Sequence, residues 1–378
     1  MIQVRIAASA EEFDALEANW TRLHAASGKA AFQSFPWQRA WWTHFGSDNP
    51  RLQLQLMLIE QDGELIAIFP CLLETARVAG LFGLRLLRPL GQGVTDYLDV
   101  LMMPGHEEHV CQAIADKIVS GRICDVLALT EVPDASPLHR VLELLAAAGF
   151  ETTRTVREQC PQTQLLGTWD ATFATFSKSH KKSLSYLERR LEKTFKVEFR
   201  RADAAGEILP ELATFMSMHQ RRWTQAGEAG AFADPRVERF HQQIAQEFHA
   251  RGWLVLAFLL LDGKPMATMY AFKVAGQLQF YLSGSGEDES VRKYSPGIAL
   301  HLYCMRQMID AGVTLYDFLR GTEQYKYDLN AADVPLWGLT AVRRSPFVGS
   351  LHALHQARQR AGGRLKDKLA RMKKARAN

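Results

Sequence analysis

The sequence predicts an α/β protein built from two domains in tandem, each with a mixed, mainly antiparallel sheet flanked by helices. Its 378 residues exceed what one ordinary core needs. An Asp-Gly turn between two apolar strand-like runs occurs twice, at Asp62-Gly63 and Asp262-Gly263. Each turn is followed by a Gly-containing loop, a helix and a strand, so the same order of elements repeats at a separation of 200 residues.

The first half begins with an alternating strand at Met1 to Ile6 and a capping box. Ser9 and Glu12 have the spacing in which each side chain bonds the other's backbone, and they open a helix to about Ala25. Ser34 caps a short helix that begins at Phe35. The other elements predicted here are strands at Leu52–Glu60 and Glu64–Leu73, a helix at Glu107–Ser120 and a strand at Asp125–Thr130.

The second half has the stronger periodic signals. Helices are predicted at His180–Thr194, Ile208–Ala226, Pro235–Arg251 and Gly297–Ala311, and strands at Leu254–Leu261, Lys264–Lys273, Leu278–Ser283 and Thr314–Phe318. The predicted domains are therefore 1–155 and 156–342, followed by a basic tail at 343–378. That tail contains eleven Lys or Arg residues and one acid, a net +10, so the preceding chain carries −6 of the total +4.

Composition limits the classes of protein that fit. Hydrophobic residues make up 47% and charged residues 23%, which is typical of a globular chain. No apolar run approaches the roughly 18 residues of a membrane span, and the N-terminus has no signal-peptide core, so a cytoplasmic location is expected. The five cysteines are scattered without a CxxC pair, which predicts reduced, mostly buried thiols and no metal site.

One strand–loop–helix segment has the composition of an anion site. The strand ends in Ser283-Gly284-Ser285, and Arg292-Lys293 then precede Ser295-Pro296-Gly297-Ile298 at the start of an apolar helix. A helix N-terminus directs backbone N–H groups and a positive dipole end at an anion, and Gly297 admits a close approach to the backbone. The alternative is an ordinary helix that Ser295 caps and Pro296 starts, with nothing bound.

The neighbouring segments resemble a known superfamily. The spacing Arg292-x-x-Ser295-x-Gly297 resembles the pyrophosphate loop of GNAT acyltransferases, (Gln/Arg)-x-x-Gly-x-(Gly/Ala), with Ser in place of the first Gly. The segments from Asp317 to Lys326 and from His219 to Trp223 look like those of the cellulose-biosynthesis-type (CelD-like) acetyltransferases, which are related to Fem-type peptidyltransferases. Weaker matches, Phe32 to Trp37 and Thr95 to Asp99, extend the resemblance over nearly the whole chain.

This resemblance implies tandem GNAT-like domains, with acyl-CoA as the co-substrate of the second domain only. The first half lacks an Arg-x-x-(Gly/Ser)-x-Gly segment, so it would be a degenerate copy that shapes the acceptor site. The residues that the resemblance assigns to acyl-CoA are Ser283, Gly284, Ser285, Arg292, Lys293, Ser295, Gly297 and Ile298.

Direct attack of an amine on a thioester needs a proton acceptor and an acid for the leaving thiolate. Tyr325 is the candidate acid, because a phenol is protonated at pH 7; the alternative is a tyrosine that only packs. His219, Glu323 and Asp317 are the candidate bases. His219 lies on an apolar helical stripe, which is equally typical of a hydrogen-bonded core histidine.

Seven further residues are candidates for contact with the acceptor. Asp96 could hold an ammonium group or cap its loop, and Lys326 could pair with an anionic substrate or lie solvated on the surface. Trp223 could stack on a ring of the substrate. The complete set is Asp96, Tyr97, Arg222, Trp223, Tyr281, Arg320 and Lys326.

The leading hypothesis is an N-acyltransferase that moves an acyl group from acyl-CoA to an amine, such as an amino sugar in polysaccharide assembly. A Fem-like transferase using aminoacyl-tRNA is the first alternative, because basic residues crowd the chain from Lys178 to Arg201. A non-catalytic subunit of a polysaccharide system is the second. The tail, with Leu351, Leu354, Leu365, Leu369 and Met372 among its cations, predicts a peripheral contact with a membrane or partner.

Overall fold

A computed structural model describes residues 1–78, 82–202, 207–225 and 227–358. The chain divides into two compact units, Met1–Arg157 together with the chain from Leu336 onward, and Glu158–Pro335. The domain boundaries that the sequence predicts, 1–155, 156–342 and 343–378, remain predictions. Each unit has a mixed, mainly antiparallel sheet flanked by helices, which confirms the predicted fold class.

Between residues 1 and 147, the first unit contains thirteen described α-helices and β-strands. They are β1 (Ile2–Ala7), α1 (Ala10–Asp14), α2 (Glu17–Ser27), α3 (Phe35–Trp41), β2 (Leu52–Leu54), β3 (Leu56–Gln61), β4 (Glu64–Phe69), β5 (Cys71–Val78), β6 (Phe82–Pro89), β7 (Leu101–Met102), α4 (Glu107–Ser120), β8 (Val126–Pro133) and α5 (Leu138–Ala147). Strands β1, β3, β4 and β7 form one sheet, and β8, β6, β5 and β2 are neighbours in another. In these two sets only the β6–β8 pair is parallel among the described strands.

The second unit follows strand β9 (Phe150–Gln164), which crosses the boundary between the units, as does β15 (Ala332–Arg343). Its elements are α6 (Trp169–Ala174), α7 (Lys178–Thr194), β10 (Val197–Arg201), α8 (Ile208–Gln225), α9 (Pro235–Ala250), β11 (Leu254–Leu261), β12 (Lys264–Val274), β13 (Gln277–Ser285), α10 (Pro296–Asp310), β14 (Leu315–Asp317) and α11 (Gln324–Asp328). The strand order is β10-β11-β12-β13-β14-β9, and the β13–β14 pair is parallel.

The repeated hairpins have the same backbone detail. Asp62 and Gly63 have φ angles of 52° and 87°, and Asp262 and Gly263 have 51° and 78°, as a two-residue hairpin turn with both φ angles positive requires. Both hairpins also shift register two residues before the turn begins, at Ile59/Glu60 and Leu259/Leu260. The separation of 200 residues therefore extends from the turn into the strands, and it supports the predicted repeat.

Three elements of the first unit differ from their predictions. The helix that the capping box opens is interrupted after Asp14, and α2 begins at Glu17; the box itself is confirmed, with Glu12 N–H donating to Ser9 Oγ. The strand predicted at Leu52–Glu60 is divided at Gln55, whose N–H donates to Cys71 O. The strand predicted at Glu64–Leu73 is divided at Pro70, which has no N–H for a ladder.

Smaller predictions also change. Ser34 precedes α3, but its hydroxyl donates to Ala31 O at 2.6 Å instead of capping the helix. All five cysteines are free and buried, as predicted. In the tail, 346–358 is helical, with Leu351 buried and Leu354 52% exposed. The other apolar tail residues, Leu365, Leu369 and Met372, lie outside the described residues.

The sheet of the second unit separates two clusters of side chains. On one face, Ala267, Met269 and Ala271 of β12 pack into a core that includes α10 residues such as Leu302 and Met305. On the other face an aromatic cluster joins β12 and β13 to α8 and α9: Phe215, His219, Phe240, His241, Phe248, Tyr270, Phe272 and Tyr281. The candidate site lies in this unit.

Candidate functional site

The site begins where two parallel strands separate. Gln277–Gln279 of β13 pair with Leu315–Asp317 of β14, and β13 then continues to Ser285 without that partner. After Asp317 the chain follows β9 instead, because Phe318 N–H donates to Pro161 O and Gly321 N–H donates to Gln159 O. The edge of β13 is therefore left open over its last six residues.

A cavity of about 320 Å³ lies in this opening, between the end of β13 and the start of α10. Nine residues that the sequence predicts for the site line it: Arg222, Ser283, Gly284, Ser285, Arg292, Ser295, Gly297, Ile298 and Tyr325. The remaining lining residues are mostly apolar: Met266, Ala267, Thr268, Met269, Phe280, Pro296, Leu300 and His301. The cavity is thus an apolar cleft with cations and hydroxyls, as ligand sites commonly are.

The loop before α10 forms a left-handed cap at Ser295. Its φ and ψ angles are 50° and 54°, a conformation that favours glycine, and its side chain makes no capping bond. The alternative, an ordinary helix that Ser295 caps, is therefore wrong as far as a capping bond from the Ser295 side chain is concerned. The conformation gives a physical reason for the glycine at this position of the GNAT loop.

Fewer backbone N–H groups remain at this helix start than an uncapped helix would offer. Ile298 and Ala299 N–H both donate to Ser295 O, at 3.0 and 3.3 Å, and Pro296 has no N–H. Within the described chain, no acceptor is found for Gly297 N–H. An anion here would be held by that single N–H, the helix dipole and the Arg292 side chain.

The two glycines of the cavity differ in what surrounds them. A Cβ built on Gly297 meets no atom within 4 Å, so a larger side chain there would project into open space at the cavity. A Cβ on Gly284 would lie 2.8 Å from His219 N and 2.9 Å from Met218 Cβ. Gly284 therefore allows α8 to approach β13, whereas Gly297 leaves room for a ligand.

Two arginines border the cavity from different elements. Arg222 of α8 donates from Nη1 to Ser283 Oγ at 2.7 Å, which ties α8 to the open end of β13. Arg292 donates from Nη2 to Gln225 Oε1 at 3.0 Å. Both side chains are exposed, so their guanidinium groups can bind an anion from solvent.

Tyr325 is held by aromatic contacts at the cavity. Its ring stacks on His301 with centroids 5.3 Å apart and meets Phe318 edge-on at 6.2 Å. Burial, together with the Glu323 carboxylate, raises the pKa of Tyr325 above its ordinary value, while the Arg222 charge opposes this. The phenol is therefore protonated at neutral pH, and within the described chain its hydroxyl makes no hydrogen bond.

None of the three candidate bases lines this cavity. His219 is 2% exposed; its Nδ1 bonds Ser283 O at 2.7 Å, and burial lowers its pKa. Asp317 is 1% exposed and accepts from Gln162 Nε2 and Leu319 N–H. Glu323 is exposed and pairs with Lys326 at 3.0 Å. Their assignment as bases remains a prediction, and His219 and Asp317 have evident packing roles.

Lys326 is 2% exposed, so the alternative of a solvated surface lysine is wrong. Its Nζ donates to Arg320 O at 2.8 Å and Gly321 O at 3.0 Å, and it pairs with Glu323. These three partners account for its three protons. Lys326 therefore fixes the loop that precedes Tyr325, and direct contact with substrate would require breaking one of these bonds.

The other predicted contact residues lie away from the cavity lining. Trp223 is 39% exposed beside His219, with ring centroids 6.0 Å apart. Tyr281 belongs to the aromatic cluster on the α8–α9 face, and Arg320 and Lys293 are on the loops before α11 and α10.

Asp96 and Tyr97 belong to the first unit and are buried there, 6% and 9% exposed. Tyr97 O accepts from Gln33 Nε2. Their contact with an acceptor remains a prediction. The neighbouring Asp99 is an internal ion-pair partner, bonded by Lys29 Nζ at 2.5 Å and Ser136 Oγ at 2.6 Å.

Among the lining residues that were not predicted, His301 is the one with a titratable side chain. Its Nδ1 and the Tyr316 hydroxyl are 2.7 Å apart, and burial, helped by the Lys326 charge, lowers its pKa to about 3. It is therefore neutral at pH 7. The available signal was its position four residues after Gly297, which puts both on one face of α10.

Neither a metal-ligand cluster nor a membrane-spanning helix is found among the described residues. They contain no group of three His, Cys, Asp or Glu side chains that could hold a metal ion. No described helix is both long enough and apolar enough to cross a bilayer.

Comparison with known proteins places this site in a recognised domain. Residues 178–327 match the family model of an acetyltransferase (GNAT) domain, which includes the cavity and α7. No curated protein sequence matches the chain.

Three solved structures are similar to nearly the whole chain at low identity. FemX has a TM-score of 0.58 at 12% identity, covering 89% of this chain and 96% of its own. The C-terminal domain of a protein described as a lysylphosphatidylglycerol synthetase, from Agrobacterium fabrum, has a TM-score of 0.53 at 12% identity. The alignment covers 92% of this chain and 96% of that domain. A conserved protein of unknown function from Bacteroides thetaiotaomicron has a TM-score of 0.51 at 10% identity. The alignment covers 91% of this chain and 100% of that protein. At these identities the likeness is one of fold, and the segment 178–327 within it is similar to the acetyltransferase (GNAT) domain model.

Proposed function

We propose that this protein is an N-acyltransferase that binds acyl-CoA in the cavity between β13 and α10. The observation that supports it most directly is the convergence of nine sequence-predicted residues, from four separate segments, on one cavity. The apolar lining suits a pantetheine arm with its acyl group, and Arg292 and Gly297 N–H suit the pyrophosphate. The CelD-like group and a role in polysaccharide assembly are the finer parts of this proposal, with an amino sugar as the acceptor.

The proposed reaction is direct attack of a neutral amine on the thioester carbonyl. The N–C bond forms and the C–S bond breaks, the C–S electron pair leaves with the sulfur as a thiolate, and the proton that the nitrogen loses passes to solvent water. Tyr325 lines the cavity and donates a hydrogen bond to the leaving sulfur in this scheme. Because its pKa is raised above about 10 and a thiol has one near 8.5, the phenol stabilises the thiolate without transferring its proton completely.

The test is acetyl-CoA binding to a Gly297→Phe variant, measured by isothermal titration calorimetry. The open space at Gly297 lets the phenyl ring be accommodated without displacing the fold, so we expect the Kd to rise about 100-fold while the melting temperature is kept. Gly349→Phe is the matched control, since a Cβ at Gly349 also meets nothing within 4 Å. Equal affinity of wild type and Gly297→Phe would refute the placement of acyl-CoA.

A Fem-like aminoacyl-tRNA-dependent transferase is the second candidate, favoured by one face of α7. Lys178, Lys182, Arg189 and Lys193 are exposed along this face with Tyr186, which is 58% exposed. In the described chain none of these four cations has an acidic partner, because the α7 acids Glu188 and Glu192 bond Arg306 and Tyr303 of α10. Such a stripe suits a polyanionic backbone.

The two candidates differ in a direct binding experiment. Aminoacyl-tRNA binding that weakens steeply with salt, without binding of acetyl-CoA, would favour the Fem-like candidate. Acetyl-CoA binding with weak, non-saturating tRNA binding would favour the acyl-CoA enzyme.

A further inference from the structure

One aromatic ring on the loop that leads into α10 is contacted by two cations. Arg190 of α7 donates from Nη1 to Lys293 O at 3.3 Å, and its guanidinium carbon lies 4.4 Å from the Tyr294 ring centroid. Lys293 Nζ lies 5.4 Å from the same centroid. Phe195 meets that ring edge-on at 5.0 Å, which fixes its plane. We call Arg190, Lys293 and Tyr294 the outer cation cluster.

The charge of this cluster is uncompensated. Among the side chains that the structure describes, neither Arg190 nor Lys293 pairs with a carboxylate. The acids on the same helix are engaged elsewhere: Glu188 pairs with Arg306 at 2.5 Å, and Glu192 accepts from Tyr303 at 2.9 Å. Two cations that contact one ring, neither of them paired with a described carboxylate, favour binding of an external anion.

The cluster is continuous in the chain with the proposed acyl-CoA site. Lys293 directly follows Arg292, and Tyr294 directly precedes Ser295, and both of these flanking residues line the cavity. The cavity volume of about 320 Å³ is at the lower end for a small-molecule site, so the acyl-pantetheine part fills it. The nucleotide of coenzyme A must then lie outside, past the Arg292–Ser295 loop.

We propose that the outer cation cluster binds the 3′-phosphate of acyl-CoA, with Arg190 and Lys293 as its ligands. This inference rests on the proposed function, because it needs acyl-CoA in the β13–α10 cavity. A phosphomonoester carries a charge of roughly −1.5 to −2 at pH 7 and three acceptor oxygens, which matches two cations that contact the same ring. Tyr294, held by Phe195, sets the position of both.

The test compares the Kd values of coenzyme A and 3′-dephospho-coenzyme A, measured by calorimetry at about 0.1 M salt. We expect wild type to bind coenzyme A about tenfold more tightly than the dephospho form, the scale of a charge-assisted contact. In the double variant Arg190→Gln, Lys293→Gln this ratio should fall to about one, with the affinity for the dephospho form unchanged. The pair Arg239→Gln, Lys273→Gln removes the same charge elsewhere in the unit and should keep the tenfold ratio.

The other possible binding results overturn the assignment of the 3′-phosphate site, and they show whether the proposed function fails with it. Equal affinity of wild type for both molecules, or a tenfold ratio that persists in the double variant, overturns the cluster as the 3′-phosphate site and leaves the proposed function standing. Binding of neither molecule overturns both. If the melting temperature of the double variant stays within about 2 °C of wild type, a fall in the ratio of the two Kd values comes from lost contacts and not from unfolding.

Discussion

The strand–loop–helix segments that follow the two Asp-Gly hairpins have the same order and opposite electrostatics. In the second unit, nine-residue β13 leads through a loop with Arg292 and Lys293 to α10, whose first turn has no acid. In the first unit, two-residue β7 leads through a four-residue loop to α4, whose first turn contains Glu107 and Glu108.

The Glu107 carboxylate shows what this difference means. It accepts a hydrogen bond from Gly105 N–H at 3.0 Å, so the anion at the start of α4 is supplied by the chain itself. Among the described residues, the first turn of α10 contains no acid. In the function proposed above, an anionic group of the ligand takes the place at α10 that Glu107 takes at α4, so the sign of a few side chains would distinguish a self-capped helix from an anion site.

The largest expected difference between the units is their response to acid. Burial lowers the pKa values of His241 and His301 to about 3, whereas His24 and His139 of the first unit are lowered less far. Below pH 6.5 the unfolded chain binds protons that these two folded histidines do not, so stability falls as pH falls. From pH 6.5 to 4.5 the loss is about 2 to 3 kcal/mol for each histidine.

Hydrogen exchange at pH 7 and 4.5 would measure this, unit by unit. Protection should fall mainly in the second unit, and His241→Phe should roughly halve the effect. Equal loss of protection in both units would contradict the prediction.

The next largest effect comes from giving α10 the electrostatics of α4. Arg292→Glu places an acid four residues before α10, near a helix start of the kind at which α4 has Glu107, and removes a cation that lines the same cavity as Gly297. We expect acetyl-CoA affinity to fall about 100-fold, or about 3 kcal/mol, as measured by calorimetry. Arg292→Gln, which removes the charge without reversing it, should lose less; an equal loss in both variants would show that repulsion is not the cause.

Replacing Tyr325 by Phe separates binding from chemistry at the same cavity. The Phe ring keeps the stacking on His301, so the Kd for acetyl-CoA should stay within about twofold. Release of free coenzyme A thiol from acetyl-CoA and glucosamine should slow about 100-fold, since a positioned donor contributes at least that much. Unchanged thiol release would mean that Tyr325 only packs. Because its pKa is raised, the wild-type rate should show no loss through Tyr325 between pH 7 and 9.5.

The smallest expected effect is on stability, at the residue before α10. Ser295 has φ 50°, whereas the loop before α4 has Gly105 at φ 86°. Ser295→Gly should stabilise the fold by about 0.5 kcal/mol, because relief of left-handed strain slightly exceeds the entropy cost of glycine. Urea unfolding would measure this. Weaker acetyl-CoA binding by the same variant would indicate that the Ser295 hydroxyl contacts the ligand.

Sequence reasoning predicted the second unit well because its elements are long and strongly periodic. The strand at Leu254–Leu261 has the predicted bounds, and α10 differs by one residue at each end. The prediction failed where a strand ends and the next begins with a different neighbouring strand. Gln55 and Pro70 each interrupt a predicted strand, although the side-chain pattern continues unchanged across them.

For the site, the residues of one contiguous motif and of the segments that resemble a known family were predicted, whereas lining residues outside those segments were not. The cavity-lining residues from Ser283 to Ile298 follow from one contiguous motif. His301 was missed because a histidine on an apolar helix is typical of a core. One carboxylate oxygen of Asp317 accepts a hydrogen bond from Gln162, which is far away in the chain. No local sequence pattern could show that this oxygen already has a partner.

Asp317 also has a consequence for how such a site can diverge. Its Oδ1 accepts from Leu319 N–H at 2.8 Å, and buried Leu319 has φ 53°, so one short turn leads the chain away from β13. The direction of the main chain thus creates the opening, and the side chains around it only line it. Under the proposed function, acyl length and acceptor preference could therefore change through substitutions in the lining while this turn keeps the cleft open.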